Sequence, residues 1–139
     1  MLLTSLAVSS RAVCRIRLAS SSAAASTALA SRFTPLHPAV LRLIRMTREV
    51  ADAQGIAVSV CGEMASDPLM AFTLVGLGIR QLSVSPISLP RVKALIRGMR
   101  ISAAVEAAAA AMDAATADDA ETILRAALHA EVDGELLHT

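Results

Sequence analysis

The sequence predicts an α/β domain built around a parallel sheet. Two short strand-like runs, 56–61 and 81–85, are each preceded and followed by segments with helical spacing of apolar residues. Strands that alternate with helices over short loops are typical of βαβ units, whose strands are parallel and whose crossovers are right-handed. Because two strands cannot make such a sheet alone, we expect further strands from another chain or from a larger domain.

Composition limits the classes of protein that the chain can belong to. Of 139 residues 55% are hydrophobic, but only Phe33 and Phe72 are aromatic and much of the remainder is alanine, so we expect a thin core. The net charge of +1 gives no case for binding nucleic acid or an anionic membrane. No apolar run reaches the roughly 18 residues of a membrane-spanning helix. Cys14 and Cys61 lie in unrelated contexts, which favours a reducing, cytoplasmic location over a structural disulfide.

The first 34 residues are rich in serine, alanine and arginine and contain no acidic residue. Such a tract buries little surface, so its composition predicts disorder. Three explanations are open: an organelle transit peptide, a secretory signal, or unselected sequence from a misplaced start or a frame disruption. A transit peptide would place the protein in an organelle instead of the cytoplasm. The last is favoured, because the pattern that follows begins abruptly.

The second region, 35–99, contains the helices and strands of the predicted sheet. His37 and Pro38 open a helix that Gly55 ends, because proline suits the first helical position and glycine the C-terminal stop. The run 56–61 fits a buried parallel strand. Asp67 is the N-cap of the next helix, and the run 81–85 is the second strand.

The third region, 100–139, predicts two further helices. Ser88 is the expected N-cap of a helix over 91–99 that closes the preceding region. An alanine-rich helix over 101–115 follows, and Thr116 begins another with an acidic first turn. We expect this helical pair to pack on the outside of the sheet domain or to mediate association.

The residues that follow the first strand are candidates for a site. In parallel α/β folds the carboxyl ends of strands face the ligand crevice, and here Cys61 is followed by Gly62 and Glu63. Taken alone these residues are ambiguous. A buried cysteine is commonly inert, a glycine can serve the turn or admit a ligand, and a loop carboxylate is often solvated or capping. Ser83 and Ser85 share one side of the second strand end, where they could also touch a ligand.

Several strings in the chain carry a resemblance to a known family. They are 35–44 (PLHPAVLRLI), 60–65 (VCGEMA), Asp67-Pro68, 74–78 (LVGLG) and 82–97 (LSVSPISLPRVKALIR). In this order they resemble the end of the (β/α)₈ barrel of the phosphoenolpyruvate (PEP)-utilising enzymes, including its last two strands. Within that family they are most similar to the PEP-protein phosphotransferases of bacterial sugar uptake. The resemblance therefore implies the C-terminal portion of a TIM barrel, its last two β/α units, followed by C-terminal helices.

The resemblance also implies a chemistry. The family transfers a phosphoryl group from PEP to a histidine on a separate domain, uses Mg²⁺ at the barrel mouth, passes the group to a phosphocarrier protein and forms homodimers. Cys61 stands where the family has the proton donor that converts the enolate to pyruvate, and Gly62 and Glu63 stand beside the substrate. A thiol suits this task because it is a far stronger acid than a hydroxyl group. His37 precedes a helix proline and is expected to be a surface or capping residue, because the phosphorylated histidine belongs to another domain.

Much of the family's site has no counterpart in these strings. The arginines that hold the substrate and the acidic pair that binds Mg²⁺ belong to earlier strands in the family, so no residue here is assigned to a metal. We therefore expect a fragment of a PEP-dependent protein phosphotransferase that is inactive alone. The alternative is a non-catalytic dimerisation or interaction remnant of the same barrel. A third reading is a chain that does not fold stably, because two strands expose unpaired edges.

Overall fold

The computed structural model describes residues 7–9, 13–16 and 34–132. Mixed strands and helices confirm the α/β class, and the described part is mostly helical. In chain order the elements are β1 (Ala7–Ser9), β2 (Val13–Ile16), α1 (Pro38–Ala53), β3 (Ala57–Cys61), α2 (Glu63–Ser66), α3 (Pro68–Gly76), β4 (Gln81–Ser83), α4 (Leu89–Gly98), α5 (Ile101–Asp113) and α6 (Ala117–Glu131).

The strands form one sheet in the order β1-β2-β3-β4. Strand β3 pairs in parallel with β4, with Cys61 opposite Ser83, as the alternation of strands and helices predicted. Strand β2 lies parallel to the other edge of β3, and β1 pairs antiparallel to β2. The two further strands that the sheet required therefore come from this chain itself.

Strands β1 and β2 fall within the tract for which composition predicted disorder. For residues 7–9 and 13–16 that prediction was wrong, because β1 pairs with β2 and β2 pairs with β3, and these backbone hydrogen bonds do not depend on side-chain composition. The other residues of the tract, 1–6, 10–12 and 17–33, lie outside the described residues, as do 133–139 of the tail.

Three of the predicted helix starts are confirmed by their side-chain caps. Nδ1 of His37 accepts a hydrogen bond from the backbone N–H of Ala39 at 3.2 Å. Asp67 Oδ1 accepts from Met70 N at 2.9 Å, and Thr116 Oγ1 accepts from Asp119 N at 3.1 Å. Each bond satisfies one of the backbone donors that a helix start leaves unpaired, which explains why these helices begin where they do.

Helix α3 lies at the centre of the core. All of its residues from Pro68 to Val75 are buried, so it is apolar on every side rather than amphipathic. It packs against α4, α5 and α6, while α1 packs against β3 and α5. The predicted helical pair α5 and α6 therefore completes the core around α3. Within the described residues, no helix is long and apolar enough to cross a membrane.

Small residues allow α3 and α5 to approach closely. A Cβ atom on Gly76 would overlap the carbonyl oxygen of Ala104 and lie 2.7 Å from its carbonyl carbon. Ala104 and Ala108 are themselves fully or almost fully buried. The alanine-rich composition therefore produces a core of closely spaced helix backbones, which compensates in part for the scarcity of large side chains.

Replacing Gly76 by alanine should destabilise the fold by about 1–3 kcal/mol, because the new methyl group forces α3 and α5 apart. Gly98 provides the matched control, since it is also helical and a Cβ atom there meets nothing within 4 Å. We expect Gly98→Ala to be neutral or stabilising by up to about 1 kcal/mol. Urea denaturation followed by circular dichroism measures both variants, and equal midpoints for the two would contradict the close approach.

The C-terminal helix is held to the rest of the fold by an ion pair. The Glu131 carboxylate accepts hydrogen bonds from the backbone N–H of Arg100 at 2.8 Å and from its guanidinium group. These bonds from Arg100 lower the pKa of the Glu131 carboxyl below its ordinary value, and they raise the pKa of Arg100. The end of α6 is thereby fixed to the start of α5.

Candidate functional site

Cys61 is the last residue of β3 and lies at the carboxyl end of the sheet. Side chains alternate along this strand, so Val58 and Val60 are buried in the core, while Ser59 and Cys61 are half-buried on the opposite face. The Cys61 thiol forms no disulfide. The sheet therefore holds a thiol at the strand end where parallel α/β folds place their sites.

The chain turns sharply after Cys61. Gly62 has φ 94° and ψ −161°, a conformation that residues with a side chain rarely adopt. A Cβ atom there would meet nothing within 4 Å, so the turn rather than a close contact requires glycine. The residues that follow form the short helix α2, where the sequence predicted a loop. This helix begins with Glu63, two residues after the end of β3.

Ser66 joins this turn to the loop that follows β4. Its hydroxyl donates to the carbonyl oxygen of Gly62 at 3.2 Å and accepts from the backbone N–H of Ser85 at 3.1 Å. In the second loop, Ser85 Oγ accepts from Ser88 N at 3.3 Å and donates to Ser88 Oγ at 2.9 Å. Ser88 is the N-cap residue of α4 as predicted, but its side chain makes no capping bond to that helix.

The two loops enclose an open cleft of about 590 Å³ at the carboxyl ends of β3 and β4. It is lined by Gly62, Glu63, Ser66, Asp67, Ser83, Val84, Ser85, Ser88 and Arg91. Of the candidates from the sequence, Gly62, Glu63, Ser83 and Ser85 are thus brought together in one cleft. Cys61 borders it through Gly62 but does not belong to its lining, and His37 lies elsewhere, at the start of α1.

Five lining residues were not singled out from the sequence as site residues: Ser66, Asp67, Val84, Ser88 and Arg91. Ser66 had no sequence signal, because its role depends on a contact with a residue 19 positions away. Ser88 was expected only as a helix cap. Arg91 was named only as part of the 82–97 string. Its position three residues after Ser88 was the available signal, because this spacing places both residues on one side of a helix start.

The described residues do not fit a Mg²⁺ site. Within 34–132, no group of three or more His, Cys, Asp or Glu side chains converges, and Mg²⁺ could use one or two carboxylates of the cleft only if these were free to bind it. Of the two carboxylates in the cleft, Asp67 already accepts from the backbone of Met70 to cap α3. These residues are therefore assigned no part in holding a metal.

The chain belongs to the PEP-utilising enzymes. Residues 6–101 match the model of the PEP-utilising enzyme, PEP-binding domain, which confirms the resemblance found in the strings from Pro35 to Arg97. The match begins ahead of Pro35, so it includes most of the N-terminal tract. The interpretation of that tract as unselected sequence therefore does not agree with the family match for residues 6–34.

Individual relatives show which PEP-utilising enzymes this chain is similar to. The phosphoenolpyruvate-protein phosphotransferase of Streptomyces coelicolor is 42% identical over 97 residues, which are 70% of this chain and 17% of the relative. That of Cupriavidus necator is 51% identical over 69 residues, 50% of this chain and 12% of the relative. A phosphoenolpyruvate-dependent phosphotransferase system protein of Escherichia coli is 37% identical over 94 residues, 68% of this chain and 13% of the relative. The chain thus spans less than a fifth of the length of these relatives.

Proposed function

We propose that this chain forms the last two strand-and-helix units of the barrel of a PEP-dependent protein phosphotransferase, with Cys61 as the proton donor. One observation carries the proposal: in a chain of this family, β3 ends in a thiol residue opposite Ser83, directly before Gly62 and Glu63, which line the cleft. The parallel pairing of β3 with β4 through helix α3 agrees with consecutive units of such a barrel.

In the proposed reaction the phosphoryl group leaves PEP for a histidine of a separate domain, so that a P–O bond breaks and a P–N bond forms. The enolate that remains takes a proton at carbon from the Cys61 thiol and becomes pyruvate, and the thiolate regains a proton from solvent. Protonation at carbon converts the enolate to the more stable keto form, which makes return of the phosphoryl group unfavourable. A phosphocarrier protein is the proposed acceptor of the group from the histidine.

The chain alone is proposed to be inactive. Phosphoryl transfer requires cationic groups and a metal around the moving phosphate. The cleft of the described residues contains one arginine and two carboxylates, and the fit to Mg²⁺ fails. The proposal therefore assigns the phosphate clamp and the metal to segments of the full-length relatives that this chain does not match.

Two phosphotransfer assays test the proposed function. We expect the purified chain, given PEP, Mg²⁺ and a phosphocarrier protein, to phosphorylate the carrier no faster than the enzyme-free control. A chimera, in which residues 35–99 replace the matching segment of the Streptomyces coelicolor relative, should phosphorylate the carrier. Transfer by the chain alone would disprove its inactivity, and a folded but inactive chimera would disprove the assignment of the segment.

A non-catalytic association role is the second candidate. Helix α1 exposes Leu43, Met46 and Val50 to 53%, 60% and 66%, and their spacing puts these side chains along one stripe of the helix. An exposed apolar stripe of this kind favours contact with a further protein surface. Sedimentation velocity tests this role. A dimer that dissociates in a Met46→Glu variant would support it, and a chain that stays monomeric at high concentration would exclude self-association.

A further inference from the structure

The cleft has two chemically different walls. The wall that follows β3 contains both carboxylates, those of Glu63 and Asp67. The wall formed by β4, its loop and α4 contains hydroxyl groups and the guanidinium of Arg91, and no acidic side chain. A ligand with an anionic group would therefore bind with that group against the second wall.

Arg91 lacks the ionic partner that a partly buried arginine normally has. Its Nε is buried and makes no hydrogen bond among the described residues, and none of the ion pairs found there includes Arg91. Arg48, the other half-buried arginine of this part of the chain, also has a buried Nε without a hydrogen bond, but its guanidinium pairs with Asp52. The two arginines therefore differ in the ion pair, which Arg91 lacks. The guanidinium of Arg91 therefore lines the cleft without a carboxylate partner among the described residues, and an oxyanion bound in the cleft would supply an acceptor for it.

The hydroxyl groups beside Arg91 can also donate into the cleft. Ser88 Oγ accepts a hydrogen bond from Ser85 Oγ, so the proton of the Ser88 hydroxyl remains available for another acceptor. Ser83 is exposed at the end of β4 and lines the same wall. A guanidinium group and two hydroxyl groups are hydrogen-bond donors of the kind that bind a phosphate or carboxylate group.

We propose that Arg91, with the hydroxyls of Ser83 and Ser88, forms a subsite for an oxyanion, the phosphate or carboxylate group of a small metabolite. The subsite lies on the α4 side of the cleft, across from Glu63 and Asp67. The inference rests on the proposed function for the identity of the whole ligand, but not for the binding of the anion itself. Arg91 would thus add a cationic contact from the last strand-and-helix unit.

Anion titration of the purified full chain tests this subsite. Inorganic phosphate and, separately, pyruvate are titrated at constant ionic strength, with binding followed by NMR chemical shifts. We expect saturable binding that Arg91→Gln weakens about tenfold or more, because a charge-assisted contact is lost. Arg97→Gln removes the same charge from an exposed position of α4 and should change the affinity less than twofold. Circular dichroism verifies that both variants are folded.

Each outcome decides the proposal. Loss of binding in Arg91→Gln alone supports it, and the tighter of the two anions identifies phosphate or carboxylate as the group recognised. Equal weakening by both substitutions would show general attraction to positive charge and overturn the subsite. Absence of saturable binding by the wild-type chain at about 100 mM of either anion would overturn it as well. The phosphotransfer assays are independent, so an inactive chimera with intact anion binding would reject the proposed function and leave the subsite standing.

Discussion

Replacing Cys61 by alanine in the active chimera should lower the rate of phosphotransfer by about 10²- to 10⁴-fold, the contribution that a positioned general acid typically makes. Cys61 ends β3 on the face opposite the core, so removal of its thiol leaves the packing of Val58 and Val60 intact. We therefore expect a chemical defect without unfolding. The KM for PEP should stay within a few-fold, because the thiol acts on the enolate rather than on the bound substrate.

A partial reaction separates proton transfer from the other steps. The chimera should exchange the methyl protons of pyruvate with D₂O, which NMR measures without any phosphocarrier protein. Cys61→Ala should abolish this exchange, and Cys61→Ser should be almost as defective because a hydroxyl is a much weaker acid. Ser59→Ala is the matched control, since Ser59 is half-buried on the same face of the same strand, two residues earlier.

The exchange rates of the variants decide whether Cys61 protonates the enolate. Exchange in Cys61→Ala within threefold of the chimera would show that another group protonates the enolate, and the proposed role of Cys61 would be wrong. A defect in Ser59→Ala as large as that in Cys61→Ala would point to damage of the strand end instead. Thermal melts of all three variants establish whether the fold is retained.

Sequence rules that involve only neighbouring residues were sufficient to predict most of the helix starts and the pairing of β3 with β4. Caps at His37, Asp67 and Thr116 and the stop at Gly55 depend on neighbours within four residues, so the sequence alone contains them. The parallel pairing of β3 and β4 follows from the helix between them. The proposed role of Cys61 as proton donor came from the family strings. A cysteine at the end of a strand would not have indicated that role by itself.

Other features depend on contacts between distant segments. Strands β1 and β2 were missed because the pairing of β1 with β2 and of β2 with β3, rather than side-chain composition, gives them their strand structure. Ser88 was assigned only a capping role, but its hydroxyl bonds to Ser85 instead. The role of Ser66 required knowledge of how two loops meet. The division of the cleft into an acidic wall and an arginine wall likewise appears only when β3 and β4 lie side by side.

Replacing Phe72 by alanine should destabilise the fold by about 3–5 kcal/mol. Phe72 is fully buried in α3, the helix that contacts α4, α5 and α6, so loss of its ring leaves a cavity that the surrounding core can fill only in part. Domains of this size have a total stability of about 5–15 kcal/mol, so the loss removes a large share of it. We expect a large fall in the urea midpoint, or no cooperative transition at all.

Ile87→Ala is the matched control for this core test. Ile87 is 93% exposed in the loop before α4, so removal of a large apolar side chain there should change stability by less than about 0.5 kcal/mol. Urea denaturation followed by circular dichroism compares both variants with the wild type. Near-equal midpoints for Phe72→Ala and Ile87→Ala would show that α3 is not the centre of the core. If the wild-type chain unfolds cooperatively and only Phe72→Ala loses that transition, the chain has a specific core. This result would rule out the hypothesis that the chain does not fold stably.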